Sequence, residues 1–224
     1  MNSEREKLII AEQKSLELFN SVKDRGLIRA GKFESELSNE IVQLAGEHFG
    51  IRDYWHKKIV RAGVNTINPY SQNPPDLIIQ DDDILFFDFG LIFNGYEADL
   101  GRTYVLGNNL LKLKLMHDVE AAWKEANSWL SAKISVSGSS FYYYVISLAE
   151  RYGWQFGNEI AGHIVGKYPH EQAGEGNWSL DVHPENNTDI FSLDKNGNLR
   201  NWIIEIHFID KEKEIGGFYE QLMK

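Results

Sequence analysis

Residues 84–105 read ILFFDFGLIFNGYEADLGRTYV, and the fold turns on how they are read. Ile84 to Phe89 is an apolar, strand-sized run that Leu91 to Phe93 continue, and Tyr96 to Val105 return as its partner. Asn94-Gly95 between them supplies the positive φ that a two-residue hairpin turn requires. Such a turn sets the register: Phe93 faces Tyr96, Gly90 faces Asp99, and Asp88 becomes the diagonal neighbour of Asp99 on the same side. Diagonal neighbours lie about 7–8 Å apart, near enough for both carboxylates to reach one ion. Asp88 interrupts an apolar strand, where an unpaired charge is costly. Two like charges so placed repel unless a cation sits between them. The blander alternative turns one of them to solvent or pairs it with Arg102.

Working outward, residues 3–23 predict an amphipathic helix with Leu8, Ile9, Leu16, Leu18, Phe19 and Val22 near helical spacing. A second helix is predicted over 34–49, stopped by Gly50, and prolines at 69, 74 and 75 mark loop before the hairpin. The second half repeats the order. Helices are predicted over 110–131 and 139–152, then strands over 159–164, 202–209 and 217–222. Two helix–helix–strand halves, about 1–107 and 108–224, suggest an α+β fold with internal symmetry around one sheet. No linker divides them into independent domains. Residues 171–200, rich in Gly, Asn and Asp, predict a long irregular excursion.

Three further polar residues sit oddly. His163 lies between small residues in Ala161-Gly162-His163-Ile164, with His170 seven positions on. Alone, a histidine is more often a hydrogen-bonded core or surface residue than a ligand. Trp202 to Ile209 alternates, placing Glu205 and His207 on one face and Ile204, Ile206 and Phe208 on the other. His207 is therefore a candidate to line the same site as Glu205. Glu220 follows Gly216-Gly217, glycines that would permit a bulge or tight bend. Four carboxylates and one imidazole form a hard, oxygen-rich set, suited to a pair of divalent ions (Mn, Co, Fe or Zn) rather than a structural zinc.

Composition narrows the classes. The 224 residues carry 23 Lys+Arg against 33 Asp+Glu, a net charge of −10 that argues against nucleic-acid binding. Cysteine is absent, which excludes thiolate metal sites and cysteine catalysis. No run is long enough to span a membrane and no signal-type stretch opens the chain, so a cytoplasmic location is expected. Asp81-Asp82-Asp83 reads as a solvated turn, and Tyr142-Tyr143-Tyr144 as helix packing.

The stretch DFGLIFNGYEADLGRT, residues 88–103, resembles the metal-binding hairpin of the pita-bread metallopeptidases, the family of methionine aminopeptidase, aminopeptidase P, prolidase and the metal-independent creatinase. The resemblance runs from the second helix onward and implies a pita-bread fold. The family's ligand order of Asp, Asp, His, Glu, Glu falls on Asp88, Asp99, His163, Glu205 and Glu220. It implies two divalent ions sharing a water or hydroxide, with Asp99 and Glu220 bridging, Asp88 completing one side and His163 with Glu205 the other. Glu205 would be the general base, and His170 would contact substrate and the developing oxyanion.

One family feature is missing. A further histidine usually stands upstream of the first Asp, but residues 64–71 contain none, and Tyr70 takes its place. A tyrosine hydroxyl can bind substrate by a hydrogen bond but shuttles protons poorly near neutrality; His56 is the nearest imidazole upstream. Gly95 to Thr103 and Ala161 to Glu171 read more like the Xaa-Pro side of the family, where dimers are common. The expectation is thus an Xaa-Pro aminopeptidase or dipeptidase acting on short peptides, as a homodimer. The alternatives are a methionine-aminopeptidase-type activity or a catalytically weak domain acting as a binding module.

Overall fold

A computed structural model describes residues 3–224. Helix α1, Glu4–Asp24, starts at Ser3, whose side chain accepts from Glu6 N while Glu6 returns a bond to Ser3 N. Helix α2, Glu34–Leu44, runs into a π-helical turn, Ala45–Phe49, that closes on Gly50 at φ +67°. Strand β1, Asp53–Ala62, comes next, then a 3-10 turn, Gly63–Ile67. The hairpin is β2, Ile84–Phe93, and β3, Tyr96–Val105. Helices α3, Leu110–Ser131, and α4, Gly138–Tyr152, lead to short strands β4, Gln155–Phe156, and β5, Ile164–Val165. The long strands β6, Asn201–Asp210, and β7, Ile215–Leu222, end the chain.

All strand pairs are antiparallel, in the order β1-β2-β3-β7-β6-β4, with β5 on β6. The first half supplies β1–β3 and the second β4–β7, meeting where Gly101 on β3 pairs with Glu220 on β7. One face of this sheet carries the helices. Leu85, Phe87, Phe89 and Leu91 of β2 pack with Phe19, Leu37 and Ile41 of α1 and α2. Ile204, Ile206 and Phe208 of β6 pack with Trp123 of α3 and Phe141, Val145 and Leu148 of α4. Alternation then sends Asp88, Glu205 and their neighbours to the opposite face.

The hairpin register is as the turn predicts, with Phe93 opposite Tyr96 and Gly90 opposite Asp99. Three expectations differ. Strand β1 is absent from the sequence reading, because its pairing with β2 breaks between Tyr54 and Lys58 and destroys the period-two pattern. No strand spans 159–164; residues 157–162 are irregular, and Gly162 sits at φ +146° against the Ile203 carbonyl. Gly216-Gly217 makes no bulge, since the β6–β7 register is continuous from Ile203 to Asp210. Instead, a Cβ at Gly216 would lie 2.1 Å from the Thr66 carbonyl oxygen, so glycine lets the 3-10 turn press on the strand.

Candidate metal centre

A single row across four strands assembles the carboxylates. Asp88 pairs with Gly101, Gly101 with Glu220, and Glu220 with Glu205. Asp99, two residues from Gly101, points to the same side. A Cβ on Gly101 would lie 2.4 Å from the Phe218 ring and 2.9 Å from Glu220 Cβ, so glycine keeps the middle of the row open. All four carboxylates are buried.

His163 reaches this row from the loop before β5. Gly162 lets that loop lie flat on β6, where Ile203 N donates to His163 O and Glu205 N to Ala161 O. His163 Nδ1 faces the Ile164 carbonyl at 2.9 Å, and Nε2 lies 3.3 Å from Asp99 Oδ2 and 3.6 Å from oxygens of Glu205 and Glu220. The five sequence-predicted ligand residues thus share one pocket.

The structure adds an imidazole to them. The three residues Trp55, His56 and Lys57 bulge from β1 opposite the single residue Gly90. His56 Nε2 comes 2.9 Å from Asp99 Oδ1 and 3.5 Å from Asp88 Oδ1. Two groups of donor atoms converge closely enough to hold an ion: His56, Asp88 and Asp99, and Asp99, His163 and Glu220. Asp99 belongs to both.

The electrostatics bear on what this pocket can hold. Burial raises the Asp88 carboxyl to about 7 and the Glu205 carboxyl to about 8, against the pull of the nearby histidines. Burial also pushes Glu220 well above the usual carboxylate range, with the Asp99 charge adding to it. Asp99 goes the other way: burial alone would raise it, but His56 and His163 hold it below the normal range. His56 rises to about 9, because Asp99 and Asp88 outweigh the effect of burial. Glu220 Oε2 is buried without a hydrogen-bond partner. Crowded carboxylates, an orphaned oxygen and an oxygen-rich donor set fit divalent cations.

A cavity of about 280 Å³ opens above the row. Trp55 wedges among His56, His163 and His170, with ring centroids 4.5, 5.4 and 5.3 Å away. His170 lines the cavity, its Nδ1 donating to Glu97 at 2.8 Å. Buried Glu97 also accepts from Gly166 N and His170 N, which fixes the loop between the two histidines. Asn158 donates to Glu205 Oε2 at 2.8 Å. Tyr70 stands at the rim with its ring 5.7 Å from His56, on a loop whose carbonyls accept from the buried Arg61 guanidinium. Asp181 and Glu159 also line the cavity, whereas no Lys or Arg among the described residues does.

His207 is not brought to the cavity. It occupies the expected face of β6 but lies beneath the 3-10 turn, 2 % exposed, with Nε2 donating to Thr66 O at 2.8 Å. Burial lowers its pKa to about 4, so it is a neutral core histidine. Arg102 pairs with neither Asp88 nor Asp99; it donates to Glu220 O and Gln221 Oε1 and lies over the Tyr219 ring. Sequence reasoning did not find Trp55, Glu97, Asn158 or Asp181. Glu97 carried a signal, since alternation along β3 places it on the same face as Asp99.

The profile of metallopeptidase family M24 matches residues 6–192. An Xaa-Pro dipeptidase of Lactobacillus delbrueckii subsp. lactis is 26 % identical over 109 residues, covering 49 % of this chain and 27 % of that protein. The solved structure of an Xaa-Pro dipeptidase from Bacillus anthracis superposes with TM-score 0.77 at 22 % identity, over 98 % of this chain and 57 % of the other. Methionine aminopeptidase from Rickettsia prowazekii superposes with TM-score 0.71 at 14 % identity, over 99 % and 94 %. These structural likenesses are likenesses of fold: an α+β pita-bread architecture. The chain spans little more than half of the dipeptidase structure and about a quarter of the Lactobacillus enzyme.

Proposed function

This chain belongs to metallopeptidase family M24, and from that premise we propose that it is a dinuclear metal-dependent exopeptidase removing the N-terminal residue of short peptides. The observation that carries the proposal is the pair of donor groups hinged on Asp99 and lying under one cavity. Asp88, Asp99, His163, Glu205 and Glu220 would hold the ions. When bound, two divalent ions lower the pKa of a shared water and polarise the scissile carbonyl. Glu205, oriented by Asn158, takes up the proton released at the reacting centre. His170 donates through Nδ1 to the buried Glu97 carboxylate, and as the imidazolium partner of that carboxylate it also carries a hydrogen on Nε2, which meets the carbonyl oxygen of the substrate. Tyr70 at the rim offers its hydroxyl to the peptide.

The cavity wall supports an amino-terminal mode of binding. Four ligand carboxylates balance two divalent ions, and Asp181 and Glu159 then remain as surplus negative charge. With no Lys or Arg among the described residues lining the cavity, a free ammonium is favoured there over a free carboxylate. The Xaa-Pro relatives make Xaa-Pro bonds the first class to test, with Met-Xaa peptides as the alternative. Hydrolysis of short free-amino peptides, and none of their N-acetylated forms, is the expected result. Equal turnover of both forms would contradict amino-terminal recognition. Two bound ions without hydrolysis of any peptide would favour a binding module.

A further inference from the structure

We propose that His56 is a sixth metal ligand, which closes the Asp88–Asp99 side of the centre so that each ion has one imidazole. The proposal rests on the dinuclear reading above and extends it beyond the five residues named there.

Three observations converge on His56. The chain builds a place for the ring: the β1 bulge puts Trp55, His56 and Lys57 opposite Gly90 alone. A Cβ at Gly90 would lie 2.0 Å from His56 Cδ2 and 2.6 Å from Trp55 Nε1, so that place exists only over glycine. The ring is also oriented. His56 Nδ1 faces the Lys57 carbonyl oxygen at 2.6 Å, and a carbonyl has no hydrogen to give. Nδ1 therefore carries the hydrogen, and the lone pair of a neutral ring sits on Nε2. That lone pair points at Asp99 Oδ1 and Asp88 Oδ1, 2.9 and 3.5 Å away. A lone pair facing two carboxylates is repulsive unless positive charge lies between them: in the metal-free protein a second proton on Nε2 supplies it, and a divalent ion that displaces this proton finds the three donors already converged.

His163 provides the internal comparison. Its Nδ1 is tied to the carbonyl of the next residue, Ile164, as that of His56 is tied to Lys57. Its Nε2 approaches Asp99 Oδ2. Asp99 is thus bracketed by two rings held in the same way, one at each oxygen, and a backbone carbonyl fixing the far nitrogen is the usual arrangement of a ligating histidine. A second nitrogen also changes metal choice, moving the centre toward Zn, Co and Fe relative to an all-oxygen first site.

Cobalt(II) tests this without an activity assay. Visible absorption during titration of the metal-free protein counts the ions bound. Proton NMR of the loaded protein counts exchangeable, paramagnetically shifted Nδ1–H signals, one for each ligating ring. We expect two ions and two such signals, with one signal lost in both His56→Ala and His56→Gln while the His163 signal stays. Two ions with a single signal, unchanged in the variants, would overturn the His56 assignment and leave the dinuclear reading intact. One ion with two signals would overturn the dinuclear reading and with it the proposal of one imidazole per ion. Failure to bind cobalt would overturn both.

Discussion

His170 and His207 show how the same side chain is put to opposite uses. His170 is fixed through Nδ1 by a buried carboxylate and faces the cavity; His207 is sealed under the Gly63–Ile67 turn. Replacing His170 with Ala should lower kcat by about 10²–10³, the cost of one oxyanion donor, with a smaller change in KM; steady-state kinetics on a short peptide reads both. For His207 the expected signal is stability. Its folded pKa of about 4 lies below the ordinary 6.5, so the unfolded chain binds the extra proton between those values. The contribution of His207 to stability should therefore fall as pH drops from about 6.5 toward 4, by about 1.4 kcal/mol per pH unit at the steepest. Urea unfolding in the presence of chelator should show this slope in the difference between the wild-type protein and His207→Gln, since Asp88, Glu205 and Glu220 contribute alike to both. At this scale the sequence was legible where chemistry conflicts with setting: Asp88, Glu205 and Glu220 are charges inside apolar strands. His207 was misplaced because alternation gives the side of a strand but not what covers it.

Among the elements, the hairpin was read to the residue because a two-residue Asn-Gly turn leaves one register. Strand β1 was not, and the reason is its function: the bulge that delivers Trp55 and His56 also erases the alternation by which strands are recognised. The approach to His163 escaped for a related reason. Gly162 at φ +146° breaks the strand expected there and lays the loop flat on β6. Gly216 was marked as a glycine of consequence, with the wrong mechanism. It admits the Thr66 carbonyl, and Gly216 N donates to Thr66 Oγ1 at 2.7 Å. Gly216→Ala should accordingly cost about 1–3 kcal/mol by overpacking, read as a lower urea midpoint at unchanged slope.

For the whole molecule, the net charge of −10 looks different once the carboxylates are located. Four of them are buried together, three in one row and Asp99 beside it, and Asp181 and Glu159 face the same cavity, so part of the acidity is concentrated in the interior rather than spread as solubilising charge. A folded chain that gathers these groups should be stabilised by whatever cation it binds. Manganese or cobalt at a hundred times its dissociation constant should add about 2.7 kcal/mol, seen as a rise in Tm that excess chelator reverses. The centre is also the seam of the fold, because Asp88 and Asp99 come from the first half and His163, Glu205 and Glu220 from the second. The most direct test is the release of the N-terminal residue from an Xaa-Pro peptide by metal-loaded protein, beside Asp99→Ala, which removes the carboxylate common to both donor groups. The account predicts turnover that requires metal and is lost in the variant together with both ions. Turnover that survives chelation, or an Asp99→Ala protein that still binds two ions and cleaves at the original rate, would contradict it.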